Sequence, residues 1–159
     1  MIATVLPVVA LVGVVGSGLM AGLYFAFSTA VMPALGRMRP AWGTEAMQQV
    51  NRVILNPLFL LVFLGTGLVS LLLVVGAALS GGPGAWWIAL GGVLYLLGNI
   101  AVTAIVNVPM NNRLDTINPL TDDGAAIWAH YLRRWTAWNH VRALACTAAT
   151  ALLAVGLWV

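Results

Sequence analysis

The chain of 159 residues is 62% hydrophobic and 7% charged, with a mean hydropathy of +0.99. Soluble domains carry about 25% charged residues, so the composition excludes a water-soluble fold and describes an integral membrane protein. The net charge of +3 comes from arginines around two connecting loops; it follows from membrane topology and gives no ground for nucleic-acid binding.

The first apolar stretch covers about residues 2–34. It is too long for a signal-peptide core, has no basic segment before it, and reads as a retained span. Arg37 and Arg39 follow. Thr44 is the predicted N-cap of a helix, with Glu45 in a first turn that suits the helix dipole. That helix should continue into a second span, about 54–79, with a kink at Asn56-Pro57 because the residue before proline is pushed from helical geometry. S-G-G-P-G at 80–84 is a tight turn into a third span, about 85–106. In the next connection Thr121, Asp122 and Asp123 supply cap chemistry. A long helix should run from there through a fourth span, about 137–159. The expected fold is an all-α, integral membrane four-helix bundle in a single domain, residues 1–159.

Arg37, Arg39 and Arg52 surround the first loop; Arg113, Arg133, Arg134 and Arg142 surround the third; the second has no charge. The positive-inside rule then puts loops one and three in the cytoplasm and both termini outside, in a bacterial cytoplasmic membrane. V-M-P-A-L-G-R-M at 31–38 aligns with N-V-P-M-N-N-R-L at 107–114 through Pro33/Pro109 and Arg37/Arg113. Two parallel helical-hairpin repeats would account for this, and so would chance. Cys146, the only cysteine, allows no intrachain disulfide and reads as a core-packing residue.

Helical spacing gathers the polar residues into stripes. Asn99, Thr103 and Asn107 are four apart, as are Tyr24 and Ser28. Trp128, Tyr131, Trp135, Asn139, Arg142 and Cys146 share one face at steps of three and four, while Glu45, Gln48 and Arg52 form a shorter line near Asn51. Polar groups facing lipid are costly, about 2.5–3.5 kcal/mol for arginine at mid-membrane on insertion scales. The stripes should therefore converge on one pocket near the cytoplasmic interface. Taken singly, each has a structural explanation: interfacial aromatics, a snorkelling arginine, interhelical amide glue, and a small-xxx-small packing motif at Gly18 and Gly22. Metal chemistry finds no support, because His130 and His140 stand about 15 Å apart along one helix.

Four segments resemble the anthrone oxygenase family: G-L-Y-F-A-F-S-T-A-V-M-P-A-L, A-M-Q-Q-V-N, N-V-P-M-N-N-R-L and W-T-A-W-N-H-V-R, in that order along essentially the whole chain. The resemblance implies a small four-helix membrane protein that oxidises an anthrone-type aromatic to a quinone with molecular oxygen as co-substrate. No other cofactor is implied, and haem through His140 is an alternative. His140 is the expected base, with Asn107, Asn111, Asn139 and Arg142 stabilising the oxyanion. Tyr24, Ser28, Gln48, Asn51, Trp128, Tyr131 and Trp135 are the expected substrate-binding residues. The partners are a hydrophobic aromatic small molecule and the bilayer, with a homo-oligomer left open. The competing class is a non-catalytic membrane module that binds a quinone, haem or another small hydrophobic ligand. His140 lies about 100° round the helix from Asn139, off the inward line, which is the weak point in naming it the base.

Overall fold

A computed structural model describes the backbone from Ile2 to Val159 and the side chains from Leu6 onward. The described residues are helical, with no strand. Helix α1 (Ile2–Ala26) passes through a π-helical turn (Phe27–Val31) into α2 (Met32–Gly36). Helices α3 (Pro40–Val53) and α4 (Pro57–Ser80) follow. Helix α5 (Ala85–Tyr95) runs through two further π turns (Leu96–Ala101 and Thr103–Asn107) into α6 (Val108–Asp115), and α7 (Asp122–Gly156) completes the chain. These make five rods rather than the four expected, because α3 stands apart from α4.

Four rods close a ring. Helices α1 and α5 each pack against both α4 and α7, and α3 lies across one end against α2, α6 and α7. Leu6–Gly36, Pro57–Ser80 and Ala85–Asp115 are long and apolar enough to cross a bilayer. The chain is an integral membrane protein. Helix α7 forms the fourth wall, but Asn139, His140 and Arg142 lower its hydropathy, and its apolar run begins only beyond them.

Three expectations need correction. Helix α3 starts at Pro40, not after Thr44: the missing N–H and fixed φ of proline suit a first helical position. Thr44 is instead buried inside the helix, its hydroxyl without a partner. At Asn56-Pro57 the chain breaks rather than kinks. Asn56 is extended (φ −84°, ψ 160°), accepts from the Phe59 N–H at 3.0 Å and donates to the Val53 carbonyl at 3.1 Å, tying both helix ends together. The third rod continues past residue 106 to Asp115, through Pro109. Proline withholds a hydrogen bond and crowds the preceding turn, and each of these rods carries a π turn ending two residues before its proline, at Val31 before Pro33 and at Asn107 before Pro109. By contrast, Thr121 caps α7 as expected, accepting from the Gly124 N–H at 3.1 Å. The 80–84 turn also forms where expected, with Gly81 in the left-handed conformation that favours glycine (φ 60°).

Close packing uses glycines other than those the sequence pattern singled out. A Cβ at Gly22 would meet nothing, and one at Gly18 only Thr150 at 3.8 Å. The tight α1–α4 crossing is at Gly16, where a Cβ would sit against the Thr66 side chain. Without hydrophobic force between helices, such contacts hold a bundle together. Gly16→Ala is therefore expected to lower stability by about 1–3 kcal/mol, whereas Gly22→Ala changes it little. Unfolding of the two variants in mixed detergent would rank them, and equal midpoints would contradict the assignment.

Candidate functional site

The inward face of α7 forms an aromatic column. Trp128 stacks on Tyr131 (centroids 5.8 Å, planes 17° apart) and Tyr131 on Trp135 (5.9 Å, 21°). Two turns further on, the Arg142 guanidinium carbon lies 5.1 Å from the Trp135 ring and 4.2 Å from the Tyr24 ring of α1. The 3.6-residue repeat explains the column, since positions 128, 131, 135, 139 and 142 fall on one stripe. All five are buried.

Asn139 ties this stripe to α1. Its Nδ2 donates to the Tyr24 carbonyl and to Ser28 Oγ, both at 2.7 Å, and its Oδ1 accepts from Arg142 Nη2 at 2.7 Å. Ser28 lies within the π turn of the first rod, and such turns recur at functional sites. Arg142 Nη1 donates to Thr103 Oγ1 at 3.2 Å, while its Nε has no partner. Tyr24 Oη donates to Asn99 Oδ1 at 2.8 Å. Asn111, on α6, receives two donors on one oxygen, Tyr131 Oη and Trp135 Nε1, each at 2.8 Å. Burial pushes the Tyr131 phenol above its ordinary value, an effect its hydrogen bond from Asn51 only partly offsets, so it remains a neutral donor.

These residues wall a cavity of about 90 Å³. Tyr24, Asn51, Thr103, Asn111, Trp135 and Arg142 supply its polar and aromatic lining. Leu23, Phe27, Met47, Val50, Ile54, Leu55, Phe59 and Val108 supply the apolar lining. The wall reaches the outer surface at Leu55, 63% exposed, in the break between α3 and α4. Helix α3 covers one end, held there by Gln48 Nε2 on the Leu114 carbonyl (2.8 Å) and by the exposed Arg52–Asp115 ion pair (2.7 Å).

Arg142 is 5% exposed, yet all four carboxylate side chains, Glu45, Asp115, Asp122 and Asp123, are exposed. No ion pair reaches it; among the described residues the ion pair found is Arg52–Asp115. A buried ion costs several kcal/mol, and each ring face returns about 0.5–2 kcal/mol. The guanidinium is thus held by π faces and neutral oxygens, without a counter-charge.

The expected site residues divide into three groups. Tyr24, Asn51, Asn111, Trp135 and Arg142 line the cavity. Asn139, Ser28, Trp128, Tyr131 and Gln48 stand behind it, holding wall residues or the covering helix by the contacts above. Asn107 and His140 do not reach it. Asn107 is fully buried with both amide atoms unpartnered. His140 is exposed on the outer face of α7, one step round from the buried stripe, so the expected base is not brought to the site. Thr103 was legible on its polar stripe, whereas the apolar lining had no signal, because a leucine facing a cavity reads like one facing lipid. His130 lines a separate groove of about 340 Å³ with Arg113 and the far side of Tyr131.

No curated protein and no solved structure matches the chain. The family model described as anthrone oxygenase matches residues 58–152. That interval contains N-V-P-M-N-N-R-L and W-T-A-W-N-H-V-R but not the two earlier motifs, a narrower extent than the sequence resemblance suggested. It nevertheless covers α4 to most of α7, including Asn111, Trp135, Asn139 and Arg142. The chain belongs to the anthrone oxygenase family.

Proposed function

We propose that the protein oxidises a flat, anthrone-type aromatic to a quinone with molecular oxygen, in the cavity walled by α1, α3, α4, α6 with the π turn before it, and α7. The observation that supports this most is Arg142: a buried cation without a carboxylate, facing an apolar, aromatic-lined cavity whose wall reaches the surface at Leu55. The reaction needs little else. An anthrone methylene that has lost one proton is an enolate, with its charge largely on the ring oxygen. Arg142 and Thr103 hold that oxygen, and Trp135 and Tyr24 lie beside the rings.

The enolate carbon passes one electron to oxygen, and the resulting radical and superoxide combine into a peroxide. Protonation of the outer oxygen, loss of the second methylene proton and cleavage of the O–O bond leave a carbonyl and one water. At about 90 Å³ the cavity is smaller than the roughly 300 Å³ and upward of ligand pockets. Leu55 and Phe59, beside the α3–α4 break, are the side chains placed to yield. In the same reading the α3 end faces the cytoplasm, by the arginine distribution.

Oxygen uptake by the purified protein in lipid vesicles, with an anthrone supplied in the bilayer, tests the proposal. Uptake well above that of empty vesicles is expected, and His140→Ala should retain it. Uptake equal to the spontaneous rate would leave a ligand-binding module as the function.

A further inference from the structure

The cavity wall contains no carboxylate and no imidazole, so a side-chain base of either kind is not at hand. We propose instead that the site captures its substrate already ionised: Arg142 selects the singly charged enolate or phenolate of a hydroxylated, flat aromatic, whose proton passes to water at the membrane surface before the anion settles in the cavity. This deepens the oxygenation reading and rests on it for the aromatic class. The charge preference itself comes from separate observations.

A guanidinium carries five N–H donors. Here Nη1 and Nη2 each make one bond to a neutral oxygen, and Nε makes none although it is buried. Donor capacity and positive charge are therefore both left over. The titratable groups around the guanidinium are Tyr24 on α1 and Tyr131 and Cys146 on α7. At their ordinary values these phenols and this thiol are uncharged near pH 7. The four carboxylates lie at the surface, and Asp115 is engaged by Arg52. An anionic ligand supplies the counter-charge that the chain withholds. Its rings would continue the column formed by Trp135 and Tyr24, and its apolar edge would face Leu55 and Phe59. A neutral ligand of the same shape would gain the stacking but leave the cation uncompensated.

The test is binding without turnover. The full-length protein in vesicles is titrated under nitrogen with 2-hydroxyanthraquinone, whose ionised form has its own visible absorption, and with unsubstituted anthraquinone, which cannot ionise. Empty vesicles correct for partitioning. Bound hydroxyanthraquinone is expected to ionise at least one pH unit lower than in empty vesicles, a tenfold preference for the anion. Arg142→Gln should abolish the shift while still binding anthraquinone, and Arg142→Lys should keep part of it. Should Arg142→Gln fail to fold, the wild-type comparison of the two probes still decides. Equal wild-type affinities at a pH where the first probe is ionised, or an undiminished shift in Arg142→Gln, overturns the proposal. Charge selectivity without oxygen uptake would retire only the oxygenation reading, and oxygen uptake without charge selectivity would retire only this one.

Discussion

Replacing Arg142 by glutamine is expected to lower anthrone turnover by about 10²–10³-fold, the usual loss when one donor to a developing oxyanion is removed. Glutamine keeps a polar head of similar reach, so the bundle should still form, and its amide can still meet Asn139 or Thr103. What disappears is the charge against which the enolate oxygen of the proposed reaction would rest, together with the cation beside the Trp135 and Tyr24 rings. Because Arg142 would hold the substrate already as the anion, the loss should raise KM as well as lower kcat, the apolar wall retaining only the neutral ring system. Oxygen-electrode rates at saturating substrate, with helix content measured beside them, would check it. A variant with unchanged kcat removes Arg142 from the chemistry.

The second large effect is on stability. Asn139→Leu keeps the side-chain size but strands the Tyr24 carbonyl, Ser28 Oγ and one N–H of Arg142 at once. Interhelical hydrogen bonds in membranes average about 0.6 kcal/mol and reach about 1.7, while bonds to charged groups contribute about 1.5–3 kcal/mol. Losing all three together is expected to cost about 2–4 kcal/mol. Denaturant unfolding in detergent would show it, with His140→Ala as the variant that should not move the midpoint. The two substitutions should not add, since Asn139 and Arg142 share a bond.

Periodicity made much of this molecule readable. Trp128, Tyr131, Trp135, Asn139, Arg142 and Cys146 were placed on one inward face by steps of three and four, and all six are buried. The same arithmetic puts His140 off that face, and there it lies, exposed on the outer side of α7. Other features had no comparable signal. Leu23, Met47, Leu55 and Phe59 are apolar whether they meet lipid or cavity, since the bilayer is as hydrophobic as the interior. The α3–α4 break hinged on Asn56 forming a cap on one side and a carbonyl contact on the other, where the dipeptide alone suggested only a bend. Thr44 looked like a cap because its residue type favours one, but Pro40 four positions earlier had the stronger claim. The π turns left only an indirect trace, the two prolines that follow them.

The break at Ile54–Asn56 also bears on how catalysis would be measured. If the ligand of the proposed reaction enters from the bilayer at Leu55, its concentration is counted as molecules per lipid. Adding empty vesicles at fixed total substrate would then dilute the substrate the enzyme meets, although the amount in the tube is unchanged. Apparent KM would scale with lipid, and rates measured in different detergents would become comparable only when expressed as mole fractions.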